Sequence, residues 1–181
     1  MRDLHTLLAE AARLYDEPGN GLQEGSSAAA RAGFAGGAEW MRRALGLVRG
    51  RVPAGKADFG RLGVGKYACA GLAALLVLGA LWRLPLIALP AAIVTFYSFE
   101  ARLLFVFPLA LDGDRSPFIA SHQLVARTLR PGVAAARVIC IAFLMLFGGL
   151  AGRGFVRSWC LGCLAVVLWY EDSRRAAGDP R

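Results

Sequence analysis

The chain has 181 residues, of which 56% are hydrophobic, and its 21 basic and 13 acidic residues leave a formal net charge of +8. So much apolar content excludes a disordered, charge-rich polypeptide and is unusual for a water-soluble domain. The positive balance admits either nucleic acid or an anionic membrane surface. Here the arginines border apolar runs instead of interleaving with exposed aromatics, so the expected partner is the lipid bilayer and nucleic acid is not.

Taken in order, residues 2–15 place Leu4, Leu7, Leu8, Ala11, Leu14 and Tyr15 on one helical face, and Pro18-Gly19-Asn20-Gly21 stops the helix. Without an unbroken apolar core this stretch is no cleavable signal, so the first membrane segment is expected to direct insertion. Ser26-Ser27 can cap a second helix running to about Arg49, weakened by Gly33, Gly36 and Gly37. These two amphipathic helices form an expected cytoplasmic arm over residues 1–50, too small for a core of its own.

Residues 51–66 read as a linker. Gly60 to Lys66 fits the GxxxxGK part of a phosphate-binding loop, but Tyr67 follows where a Mg²⁺-binding hydroxyl belongs, and no strand precedes it. Arg61 and Lys66 are therefore read as interfacial anchors of a first span at 67–82. Arg83-Leu84-Pro85 breaks that span. Residues 67–99 are too long for one crossing and too short for two, whereas extension to Phe107 gives roughly 61 Å of helix, enough for two. A second span at 85–107 then carries Glu100 and Arg102 near its end, either snorkelling to headgroups or facing a polar site. A re-entrant first half is the other arrangement.

Between the spans, Asp112, Asp114 and Arg115 surround an Asp-Gly-Asp turn, and Ser116-Pro117 opens a short helix ending before Pro131-Gly132. The paired carboxylates suggest a cation or lipid-headgroup chemistry, but a solvated turn is the plainer reading. Val133 to Tyr170 is the longest apolar stretch, interrupted by Gly148-Gly149-Leu150-Ala151-Gly152-Arg153-Gly154. Its 38 residues would reach roughly 57 Å as one helix, about twice a hydrocarbon core. It is read as a hairpin with spans at 133–150 and 155–170. Residues 171–181 form a polar, disordered tail.

Four cysteines are present. Cys69, Cys140 and Cys163 fall inside apolar runs and Cys160 at the edge of one, which argues against a secreted disulfide framework. Cys160-Leu-Gly-Cys163 puts two thiols on one helical face near Arg157, a setting that favours thiolate. In this motif and in span number the chain resembles the quinone-linked membrane thiol oxidoreductases, the disulfide-bond-forming and vitamin K epoxide reductase families. That resemblance implies a redox dithiol at Cys160 and Cys163. The second cysteine pair of those families would need an outer loop, and here that loop is about three residues. Cys140 lies some 15 Å in depth from Cys160, beyond the ~7 Å reach of a disulfide. Small cysteines that pack well between membrane helices are the alternative.

The expectation is an all-α integral membrane protein: four transmembrane helices as two hairpins, with an N-terminal cytoplasmic helical extension. Basic residues cluster on the side of both termini, which places those termini in the cytoplasm. The alanine- and arginine-rich composition points to a bacterial plasma (inner) membrane. The function read first is a non-enzymatic accessory or scaffold protein of a membrane assembly, with other membrane proteins or a second copy as partners and neither cofactor nor metal. The second is a thiol-disulfide oxidoreductase using Cys160 and Cys163. The third is an enzyme acting on lipid headgroups through Glu100, Asp112, Asp114 and Arg115.

Overall fold

A computed structural model describes residues 2–178, and among them every regular element is helical. In chain order these are α1 (Leu4–Asp16), α2 (Leu22–Arg31), α3 (Gly33–Arg49), α4 (Phe59–Ala80), α5 (Pro85–Arg102), α6 (Val106–Leu111), α7 (Pro117–Thr128), α8 (Pro131–Phe147), a π turn (Gly149–Arg153) and α9 (Phe155–Ala176).

The core is built on α9. Leu164, Ala165, Val167, Leu168, Trp169 and Tyr170 are buried there, beneath α1, α2, α3, α7 and α8. Each buried aliphatic side chain of this kind contributes about 1.5–3 kcal/mol. Helix α1 lies along α9 in the opposite direction. Arg2 reaches Asp172 at one end, with Nη2 2.6 Å from the carboxylate. Arg157 pairs with Asp16 at the other, also at 2.6 Å. Leu7, Ala11 and Tyr15 fill the seam between them. The amphipathic pattern of residues 2–15 thus buries its apolar face against the last helix, while His5, Arg13 and Asp16 stay exposed. The expected second helix is two, α2 and α3, because Gly33 turns the chain with a left-handed φ of 59°.

Helix α4 differs from its expected span at the N-terminal end. It starts at Phe59, where Asp58 caps it by accepting from the Arg61 amide at 3.1 Å. The glycines of the GxxxxGK stretch are therefore helical residues of α4, not a phosphate-cradling loop. Gly63 is needed for packing, since a Cβ there would meet the Phe34 ring at 2.8 Å. Helix α5 begins at Pro85, which stands at its first positions, and runs antiparallel to α4. A short break at 103–105 separates it from α6. The last helix also differs: it continues past Tyr170 to Ala176, because Glu171, Asp172 and Arg174 find partners. The end of the expected tail, residues 179–181, lies outside the described residues.

Among the described residues, two helical segments are long and apolar enough to cross a membrane, Phe59–Ala80 and Pro85–Leu111. A third counts if α7 and α8, bent by 112°, are taken as one broken span. Helix α9 is apolar through its middle but carries Glu171, Asp172, Arg174 and Arg175 in its last turns.

Candidate functional site

Two polar constellations and one cavity stand out from an otherwise apolar interior. The first is a buried ion pair. Lys66 on α4 and Glu100 on α5 meet at 2.7 Å, with side chains only 4% and 12% exposed. The hairpin brings them together, since each stands seventeen residues from Arg83 in the connection. The Lys66 ammonium also lies 5.2 Å from the Phe107 ring centroid and 5.4 Å from that of Tyr67. Lys66 is thus not the interfacial anchor expected from its place before an apolar run; it points into the bundle. Glu100 uses one carboxylate oxygen on Lys66, while its Oε2 is buried with no hydrogen-bond partner. A pair in such surroundings is held by mutual need, because removal of either partner strands the other charge.

The second constellation is a charged knot at the C-terminal end of α9. Asp112 accepts from Arg49 Nη2 at 2.8 Å, from Arg174 Nη1 at 2.8 Å and from the Tyr170 hydroxyl at 2.7 Å. Arg49 also donates to Glu171 at 2.6 Å. Beside it, Arg2 ties Asp172 and Glu10. Burial works against the Asp112 charge, but the hydrogen bonds from Arg49 and Tyr170 prevail and hold its carboxyl below the usual range. Asp172 shows the same balance, with Arg2 prevailing over burial.

The carboxylates singled out in the sequence are therefore dispersed. Glu100 belongs to Lys66, and Asp112 to the knot. Asp114 accepts from the Ser116 amide at 2.8 Å and closes the turn before α7, and Arg115 is exposed. Asp112 already faces two guanidinium groups, so the Asp-Gly-Asp turn does not present two free carboxylates to a cation.

Cys160 and Cys163 sit one turn apart on α9, the first buried and the second half-buried, both as free thiols. Cys160 is in the wall of a cavity of about 420 Å³ between α2, α3, α4 and α9, with Phe34, Trp40, Phe59, Tyr67 and Phe107 around it. The interior polar atoms on this cavity are taken. Ser26 Oγ accepts from the Tyr15 hydroxyl at 3.0 Å and donates to the Gln23 carbonyl at 2.6 Å, and the Trp40 indole donates to the Leu22 carbonyl at 3.1 Å. Such a space suits apolar chains or rings. Cys69 and Cys140 are exposed on α4 and α8.

Lys66, Arg49, Tyr170 and Arg174 were missed as polar-site residues from sequence. For Lys66 the available signal is its symmetric spacing with Glu100 about the Arg83 turn; for the others there is none short of the packing itself.

No family model matches the chain, and no curated protein or solved structure matches it either.

Proposed function

We propose that this chain is an integral protein of the bacterial plasma membrane that acts as a non-enzymatic scaffold or accessory component of a membrane assembly. One observation carries the reading: the outer faces of the α4–α5 hairpin are leucine-rich and open. Leu72, Leu75 and Leu76 on α4 and Ile87 and Leu89 on α5 are each more than half exposed, and Leu86 near the hairpin tip is 91% exposed. A contiguous apolar surface of this kind marks a membrane or protein contact. Helix α4, with 22 residues, reaches about 33 Å, matching the hydrocarbon thickness. Trp82 and Arg83 cap the tip, the guanidinium 5.5 Å from the ring centroid, a combination suited to the far interface.

The α4–α5 hairpin supplies two crossings. For the second hairpin, α8 offers apolar Ile139, Phe143 and Leu146 outward, whereas α9 is flanked by α1, whose Arg13, Asp16 and Glu17 are exposed. This favours a helical head containing α9, seated against the membrane hairpin, over a fourth lipid-facing span. Two or four crossings leave both termini on one side, the cytoplasmic one by the excess of arginines there, whereas a third crossing by the bent α7–α8 pair alone would part them.

The second reading, a thiol-disulfide oxidoreductase, draws support from Cys160 in the wall of the aromatic cavity. The third, an enzyme on lipid headgroups, loses support because Glu100, Asp112, Asp114 and Arg115 serve different partners. Fractionation and co-purification test the proposal. The chain should resist carbonate extraction from membranes and bring defined membrane proteins through a mild-detergent purification. Recovery as a monodisperse species in plain buffer would overturn it. A C160S/C163S double variant that abolishes the dependent phenotype, with a mixed disulfide trapped by either single variant, would replace it with the oxidoreductase reading.

A further inference from the structure

A groove of about 340 Å³ runs between α5, α7 and the beginning of α8. Arg102 and Val94 of α5, His122 of α7, and Ala135 and Ile139 of α8 are among its lining. No carboxylate is part of its lining. The Arg102 guanidinium lies 5.7 Å from the Phe99 ring centroid, and among the described residues it has no ion pair. That sets it apart from Arg2, Arg13, Arg42, Arg49 and Arg157, each matched to a carboxylate.

The two ends of the groove differ in chemistry along a fixed direction. Arg102 and Val94 stand eight residues apart on α5, about 12 Å. At one end of its α5 wall the Arg102 guanidinium is suited to a phosphate; toward the other, Val94 and Ile139 are exposed and apolar. The chain bends by 112° between α7 and α8, and residues of both helices line the groove. We infer that the groove between α5, α7 and α8 is a binding site for one anionic phospholipid, its phosphate on Arg102 and His122 and an acyl chain along Val94 and Ile139. The inference rests on the membrane reading, because only a bilayer supplies this ligand. An arginine–phosphate contact is among the stronger charge-assisted hydrogen bonds, and because a choline headgroup brings its own trimethylammonium beside the guanidinium, a headgroup without a cation is preferred.

The test uses the full chain purified in a mild non-ionic detergent, titrated with phosphatidylglycerol or phosphatidylcholine and read by native mass spectrometry and thermal shift. The wild type should favour phosphatidylglycerol by about tenfold, because the trimethylammonium of phosphatidylcholine is repelled by the Arg102 charge. R102Q should abolish the preference, R102K should keep most of it, and R127Q, outside the groove, should leave it unchanged. Val94→Trp should weaken both lipids. Millimolar inorganic phosphate should not displace the bound lipid. Equal binding of the two lipids, an R102Q variant like the wild type, an equal loss in R127Q, or full displacement by inorganic phosphate each overturns the inference while leaving a detergent-dependent membrane protein in place. A chain that is monodisperse without detergent and retains neither lipid overturns the membrane reading with it.

Discussion

Helices α1 and α4 are built on opposite rules. On α1 the hidden positions are Leu7, Ala11 and Tyr15, and the open ones include Asp3, His5 and Arg13. On α4 the hidden positions are Phe59, Gly63, Lys66 and Ala70, and the open ones are Val64, Leu72, Leu75 and Leu76. One helix turns its grease inward; the other turns glycine and a lysine inward and its leucines out. Both spacings are helical, and both faces pack on the same molecule. On the membrane reading proposed above, the contrast is one of surroundings, water for α1 and hydrocarbon for α4, where small residues mediate contact and polar residues seek each other.

The largest break in this comparison is expected at Lys66. Replacing it by Met leaves Glu100 buried and unmatched and should cost about 3–5 kcal/mol, whereas K66M/E100Q should recover much of the loss. Thermal unfolding in detergent checks both. Next, Leu75→Lys places a charge on the open face of α4. In lipid it should cost about 2.5–3.5 kcal/mol and lower the inserted fraction, while Ala9→Lys on the open face of α1 should stay within about 0.5 kcal/mol. Equal effects at the two positions would mean the two helices share one solvent.

A smaller effect concerns the knot. Asp112→Asn removes a charged acceptor from Arg49 and Arg174 and should cost about 1.5–3 kcal/mol. Because the folded-state carboxyls of Asp112 and Asp172 lie below their ordinary value of 3.8, their contribution is complete above that value and is lost as pH falls through the lower folded values. Unfolding temperature should therefore be flat near neutrality and drop below about pH 4, with a shallower drop in D112N. The least perturbing probe is labelling: Cys69 and Cys140, open on α4 and α8, should resist a charged maleimide in membranes and react with it once the chain is unfolded in dodecyl sulfate, since the reaction needs a thiolate in water.

Much of the helical layout was legible. Pro18 to Gly21, Pro85 and the glycines from Gly148 to Gly154 all mark real boundaries, since these residues act through local backbone geometry. The role of Lys66 was not. A lysine beside an apolar run reads as an anchor until the partner is known, and the partner is fixed by hairpin register. The knot was less legible still. Arg49, Asp112 and the α9 pair Tyr170 and Arg174 come from three separate stretches, and nothing in the spacing of one stretch announces another. Nor could periodicity tell that the apolar run of α9 is covered by protein, because burial and lipid exposure demand the same composition.

The hairpin register of Lys66 and Glu100 bears on biogenesis. Glu100 leaves the ribosome 34 residues after Lys66, so the nascent first helix arrives at the translocon with its ammonium unmatched. Lateral release of that helix alone would carry a naked cation into oil, whereas release together with its successor delivers a neutral pair. On the membrane reading proposed above, the two helices would enter the bilayer as one unit, the acid at position 100 being the permit for the base that preceded it.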